Sequence, residues 1–298
     1  MTGLGLPSPA EAVAATTRHY DLPVEVFAAF LDPQMKYTSG LYLTGAETLH
    51  EAQTNKLRFI ADLLGIQPGA HVLDVGCGWG ALTLYLAQQH QCHVCAVTPT
   101  PSQARFVRQA ASDRGLTQLV RVEETTIERF AGEPEFDAIA MVGVIEHLPS
   151  IDQPVRTIAG LLRPAGRIYV SASCYRKAEM LSHYAERPGS MHVTDSVFGF
   201  GVLRPVSALI AAVEDAGMSI ASLTDLTGDY RRTIAQWAAN VEANRDRIEA
   251  AAPGQAAELL RYFATANAAW GYTSKHYAFT ASRLRMGLTG VFNDNVPG

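Results

Sequence analysis

His71-Val72-Leu73-Asp74-Val75-Gly76-Cys77-Gly78-Trp79-Gly80 decides the reading of this chain. It is an apolar strand with an Asp near its end, three glycines at alternate positions, and then an apolar helix from Ala81 to Ala87. Glycines let the backbone turn tightly and let a ligand approach the main chain. The helix offers free N–H groups at its start. The stretch is therefore a nucleotide-cofactor turn. Gly76-x-Gly78-x-x-Ala81 fits the dinucleotide fingerprint, so NAD must be weighed. Asp74, however, would repel a pyrophosphate, and the next strand ends in Thr98-Pro99-Thr100 with no acid for an NAD ribose. A cofactor with a positive centre and no phosphate suits Asp74 better, and S-adenosylmethionine (SAM) has a sulfonium, an ammonium and a ribose.

Outward from the turn, the pattern alternates. Strands are expected at His71–Val75, His93–Thr98, Val120–Glu124, Phe136–Val142 and Gly166–Ala172, and helices at Ala81–Gln89, Ser102–Arg114 and Ile151–Leu162. Such alternation implies a parallel sheet with helices on both faces and ligands at the carboxyl ends of its strands. Residues 1–66 read as an N-terminal helical cap and residues 67–298 as the cofactor-binding core. The cap carries helices Ala10–His19 and Pro23–Leu31, then one opened by the capping box Thr48-Leu49-His50-Glu51. Residues 173–204 lack periodicity and are rich in Gly, Pro, Met and aromatics, as a lid over a substrate would be. Beyond them come helix Pro205–Ala216, strand Ser219–Leu226, helices Thr233–Ala250 and Gly254–Ala269, and strand Tyr272–Arg283.

Composition bounds the function. At 48% apolar residues a substantial core is available, and a net charge of −5 without a Lys/Arg block argues against nucleic-acid binding. No apolar run is long enough for stable membrane insertion, and Met1–Ala15 lacks the features of a signal peptide, so a cytoplasmic protein is expected. The oligomeric state is left open, a homo-oligomer included. Cys92-His93-Val94-Cys95 has metal-like spacing, but it sits in a buried strand without a second pair. Cys77, Cys92, Cys95 and Cys174 read as reduced core thiols, with no metal site.

The ordered markers His19-Tyr20-Asp21-Leu22, Leu31-Asp32-Pro33, Lys36 to Tyr42, the glycine turn, Val97 to Gln103, Ile145-Glu146-His147 and Asp229 to Thr233 with Trp237 resemble the cyclopropane fatty acid and mycolic acid synthase family of SAM-dependent methyltransferases. The resemblance covers nearly the whole chain. It implies an α/β class I methyltransferase fold: a doubly wound, seven-stranded, mostly parallel sheet with an N-terminal helical cap and a lid after the fifth strand. It also implies that Tyr37 and Ser39 cover the cofactor, that Gly76 and Gly78 lie against its methionine part, that Thr98 and Gln103 meet the ribose, and that Ile127 and Glu128 line the adenine pocket. Glu146 and Tyr230 match positions at the reacting methyl. Cyclopropane synthases hold a bicarbonate with Cys, Glu, His and Tyr. Here Ser39 stands at the Cys position and Ser171 at the His position, which puts bicarbonate and cyclopropane formation in doubt.

Methyl transfer needs in-line placement and a destination for the proton. Attack by an alkene leaves a carbocation, which aromatic faces stabilise by roughly 2 kcal/mol when desolvated. Glu146, just past an apolar strand, is the expected base, with His147 and Tyr230 beside the reaction. Tyr20, His192, Phe198, Phe200 and Trp237 are expected to line the substrate, although buried aromatics are core by default. The expected activity is C-methylation of an alkene in a small apolar molecule of isoprenoid or unsaturated acyl type. N- or O-methylation of a specialised metabolite, cyclopropanation, and a non-methylating cyclase are the alternatives.

Overall fold

The computed structural model describes residues 6–133, 135–180 and 199–283. Three helices open the chain: α1 (Pro9–Tyr20), α2 (Val24–Phe30) and α3 (Leu49–Leu64). The expected capping box is formed. Thr48 accepts from the Glu51 amide, and the Glu51 carboxylate accepts from the Thr48 amide. The same device, Ser8 with Glu11, opens α1.

The core then alternates through β1 (His71–Val75), α4 (Ala81–His90), β2 (His93–Thr98), α5 (Pro101–Asp113), β3 (Val120–Glu124), β4 (Phe136–Val142), a 3₁₀ turn (Ile145–His147), α6 (Asp152–Leu161) and β5 (Leu162–Tyr175). It ends with β6 (Arg204–Pro205), α7 (Val206–Asp215), β7 (Met218–Asp225), α8 (Thr227–Ala243), α9 (Arg245–Ala251), α10 (Gln255–Ala269) and β8 (Ser274–Arg283). The sheet order is β3-β2-β1-β4-β5-β8-β7. All pairings up to β5 are parallel, and β8 runs antiparallel to both neighbours. The strand order reverses between β1 and β4, so the crevice for a ligand opens where those two strands end.

The seven expected strands are all present. The eighth, β6, is a two-residue strand that pairs with the end of β5 inside the span read as an irregular lid. β5 is longer than expected at both ends. The helix read over Thr233–Ala250 is two helices and starts earlier, at Thr227, whose amide donates to the Asp225 carboxylate at 2.9 Å.

Apolar side chains from α6 and α7 cover one sheet face, and α3 and α4 cover the other. A third cluster joins Val26, Phe27 and Phe30 of α2 to Trp237, Val241, Ile248 and Phe263 of α8–α10. The start of the cap is thereby fastened to the C-terminal helices, while α3 packs on the sheet. All four cysteines are buried and free. Among the described residues no helix is long and apolar enough to cross a membrane, and no group of side chains is placed to hold a metal ion.

Candidate active site

Two glycine conformations build the cleft. Gly76 (φ +68°) packs so closely on the 3₁₀-turn side that an added Cβ would lie 2.3 Å from Val144 Cγ2. Gly78 (φ +56°) has nothing within 4 Å of its Cβ position and lines open space. Both φ values lie in the left-handed region, which glycine enters without the Cβ penalty that other residues carry. The cleft opens over the ends of β1, β2 and β4 and is roofed by α1 and by the Met35–Thr38 segment.

Of the residues expected at the cofactor, Tyr37, Gly76, Gly78, Thr98, Gln103, Ile127 and Glu128 line this cleft together, and Tyr20 and His147 stand at its edge. Thr98 Oγ1 donates to Gln103 Oε1 at 2.8 Å and accepts from the Thr100 amide at 3.2 Å, which fixes the strand end. Among the described residues Glu128 Oε2 and Tyr37 Oη are buried without a hydrogen-bond partner. Buried polar atoms are normally paired, so these two are available to a ligand. Asp74 lies behind the turn. It is 1% exposed, its Oδ2 accepts from Thr83 Oγ1 at 2.7 Å, and burial raises its carboxyl. Ser39 is buried with its hydroxyl donated to the Gly40 carbonyl. The open space at Gly78 and the orphaned Glu128 and Tyr37 oxygens leave this cleft with room and hydrogen-bonding capacity for a polar ligand.

Glu146 occupies the 3₁₀ turn after β4. Its Oε1 accepts from the Ser173 amide at 2.6 Å, and its Oε2 has no partner among the described residues. The carboxyl lies deep among protein atoms, and this desolvation pushes it up to about 7 against the pull of the Ser173 hydrogen bonds. The rings of Tyr20 and Tyr230 feel its charge. His147 Nδ1 lies 3.0 Å from the Phe200 carbonyl oxygen, with Tyr20 edge-on at 6.2 Å. Trp237 is fully buried among Phe30, Tyr37 and Phe263. His192 and Phe198 lie outside the described residues.

Two neighbours escaped the sequence reading. His276 on β8 lies directly across from Ser173 on β5, its Nδ1 3.3 Å from Ser173 Oγ and its ring 4.6 Å from that of Tyr230. Lys36 lies in the roof segment with its charge facing Asp74 and Cys77. The antiparallel pairing that carries His276 to this point has no local signature. Lys36 was visible within a family marker, as the one cationic side chain of that segment.

The site has a pH signature. Burial pushes His19 and His276 each down to about 3, so each contributes stability that is present above pH 6.5 and lost as the pH falls. Glu146, raised to about 7, acts in the opposite sense: its contribution is full below its unfolded value near 4.5 and is lost as the pH rises through 7. Near pH 5.5 the unfolded chain therefore binds about one more proton at these groups than the folded chain. Urea midpoints between pH 6.5 and 5 are expected to fall by roughly 1 kcal/mol of stability per pH unit, and Glu146→Gln should steepen that slope.

The sheet order and the cleft over its glycine turn define a class I SAM-dependent methyltransferase fold. The profile of the family described as mycolic acid cyclopropane synthetase matches residues 8–277, and the chain belongs to that family. SAM is the cofactor of this family. The chain is 24% identical to a probable fatty acid methyltransferase of Pseudomonas putida over 84% of its own length and 63% of that protein. It is 28% identical to cyclopropane mycolic acid synthase 1 of Mycobacterium tuberculosis, over 76% of this chain and 81% of that one. The solved mycolic acid cyclopropane synthase CmaA1, complexed with S-adenosylhomocysteine (SAH) and CTAB, superposes with a TM-score of 0.83 at 25% identity, covering 93% of this chain and 99% of that one. Several curated relatives are longer proteins, of which the chain spans about half.

At the two positions where cyclopropane synthases have the Cys and His of their bicarbonate site, Ser39 is buried with its hydroxyl donated to the Gly40 carbonyl and Ser171 is buried within β5, while the nearby Ser173 amide donates to Glu146 Oε1.

Proposed function

We propose that this protein is a SAM-dependent C-methyltransferase that methylates an alkene in a lipid-type chain and returns a methylated alkene, with Glu146 as the base. The observation that carries this reading is Glu146 itself: a desolvated carboxyl held at one oxygen by the Ser173 amide, with the other unpartnered among the described residues. A base with a pKa near working pH takes protons efficiently and is re-ionised readily.

When bound, SAM supplies a methyl carbon made electrophilic by its sulfonium. The alkene's π pair forms the new carbon–carbon bond as the sulfur–methyl bond breaks, leaving a cation on the neighbouring carbon. Tyr20 and Tyr230 lie close enough to Glu146 to feel its charge, and their π faces are suited to such a cation. Glu146 Oε2 removes a proton from an adjacent carbon, and the electrons of that C–H bond form the product double bond. The surrounding apolar side chains exclude water from the cation.

An unsaturated acyl chain suits this surrounding better than a diphosphate. The guanidinium of Arg204, whose charge reaches Glu146, is bound to the Ile145, Leu148 and Pro149 carbonyls. Arg231 is exposed, and Arg232 lies over the Tyr42 ring at 4.3 Å. The curated relatives include fatty acid and sphingolipid methyltransferases, which supports the same class.

The test is incubation with trideuteromethyl-SAM and, in parallel, monounsaturated fatty acids, their phospholipid esters and geranyl diphosphate, followed by mass spectrometry. An acyl product with three deuteriums and one carbon–carbon double bond is expected. A ring methylene with two deuteriums would mean cyclopropanation, and label confined to nitrogen or oxygen in other acceptors would overturn C-methylation.

A further inference from the structure

Arg204 on β6 pairs with Cys174 of β5, the residue after Ser173, whose amide holds Glu146 Oε1. Its guanidinium donates to three carbonyls around the 3₁₀ turn that carries Glu146. Nη2 reaches Leu148 and Pro149, each at 2.8 Å, and Nη1 reaches Ile145 at 3.4 Å. The residues leading into β6 add two more ties to the same turn. The Val202 amide donates to the Glu146 carbonyl at 2.7 Å, and the Phe200 carbonyl oxygen lies 3.0 Å from His147 Nδ1. Gly199, at φ +69°, seats the far end of this stretch on α1, since an added Cβ would lie 2.4 Å from the Ala15 carbonyl oxygen. Carbonyls at the end of a helical turn lack donors from the turn itself and carry partial negative charge. A planar guanidinium can bridge several of them at once. Among the described residues no carboxylate oxygen lies within 4.0 Å of Arg204, so its charge is not spent on an ion pair.

We propose that Arg204 is the positioning residue of this site: it ties the turn that carries Glu146 to the end of β5 and keeps a permanent positive charge beside that turn. The role rests on Glu146 as the base of the proposed methyl transfer. A base that has taken a proton must release it before the next turnover, and in a desolvated site the resulting anion needs a compensating charge. Burial raises the Glu146 carboxyl, and the Ser173 hydrogen bonds and the Arg204 charge oppose that rise. The other groups that face Glu146 are Tyr20 of α1, Tyr230 of α8, Tyr262 of α10 and Cys174 of β5. Burial pushes all four up, so each is neutral near pH 7, and Arg204 is the charged member of the set.

Infrared difference titration of the full chain reads Glu146 without any methyl acceptor. The protonated carboxyl gives a C=O band that Glu146→Gln lacks, and the loss of that band with rising pH gives the midpoint. Arg204→Gln keeps a neutral donor, Arg204→Lys keeps the charge, and Arg204→Met keeps neither. The Gln and Met variants are expected to raise the midpoint by roughly half a pH unit or more, and the Lys variant to stay within about 0.2 of the parent. Single-turnover methyl transfer above these midpoints reads the placement of the turn. There Arg204→Met should lose at least ~10-fold in rate with SAH binding within about threefold of the parent, and Arg204→Lys should recover part of the rate. A midpoint unmoved in both the Gln and Lys variants overturns the proposal, and so does an equal shift in both. Neither outcome needs Arg204→Met to fold. A loss of rate together with SAH binding at an unmoved midpoint also overturns it, since that pattern marks a merely structural role. Full methyl transfer by Glu146→Gln would overturn Glu146 as the base and the role of Arg204 with it, an outcome read apart from the midpoints.

Discussion

Glu146→Gln is expected to bind SAH within threefold of the parent and to lose methyl transfer by at least ~100-fold, the usual contribution of a placed general base. Glutamine keeps the shape and can still accept from the Ser173 amide, the bond that orients Oε1 at 2.6 Å. It removes the oxygen that accepts a proton. In the parent, burial sets the carboxyl at about 7, so only the ionised form above that value acts as base. The rate at saturating substrate should rise tenfold per pH unit below 7 and level off above it. The variant's residual rate should be flat across the same range. The measurement is single-turnover methyl transfer from labelled SAM between pH 5.5 and 8.5. A variant retaining a tenth of the parent rate would remove Glu146 from the chemistry. The same substitution should raise the thermal midpoint at pH 8, because the folded parent there holds a buried carboxylate that the amide replaces at no charge cost.

The second large effect separates the two glycines of the turn. Gly76→Ala combines a left-handed backbone (φ +68°) with a Cβ 2.3 Å from Val144 Cγ2, a distance that real structures do not show. Overpacking and αL strain together cost roughly 2–4 kcal/mol, so the midpoint should fall by roughly 5–10 °C. Adding Val144→Ala removes the overlap but leaves the strain, and about half of the loss should return. Gly78→Ala meets nothing within 4 Å and should cost only the ~1–2 kcal/mol of its backbone conformation. It should nevertheless abolish SAH binding, because its methyl projects into the cleft. Differential scanning calorimetry and SAH titration on the three variants check the pattern. Equal melting losses for Gly76→Ala and Gly78→Ala would contradict it.

Most of the scaffold is legible in local pattern. The apolar runs of β1, β2 and β4 and the capping boxes of α1 and α3 each carry their own physical signature. The misses have a common cause, which is tertiary control of a segment whose local chemistry says otherwise. The strand is expected to begin at Gly166, after Pro164 and Ala165, yet β5 begins at Leu162, beside a register break in its pairing with β4 and with Ala165 at φ +66°. The stretch between the expected strand end at Leu226 and the expected helix start at Thr233 carries Gly228 and no apolar period, yet it is the first turn of α8, where the Asp225 carboxylate accepts from the Thr227 amide. At the site, the glycine turn and the Thr98–Gln103 pair that lines the cleft are legible because each lies in a contiguous stretch. His276 is not, since a histidine in an apolar strand is indistinguishable from a core residue until β8 is paired with β5. Trp237 shows the converse: an aromatic in a family marker whose place is the interior of the helical cluster.

The joining of α2 to α8–α10 has a consequence for biosynthesis. Asn240 Nδ2 donates to the Phe30 carbonyl across 210 residues, and the aromatic cluster around Tyr37 and Trp237 closes only when both partners exist. A ribosome delivers Trp237 long after the glycine turn has emerged, so the emerging chain holds a half-built nucleoside shelf without its ceiling. Such distant closure is slow in general. Ligand capture during translation should therefore lag until the last helices leave the exit tunnel, and stalled chains ending before Thr227 should retain no grip on SAH.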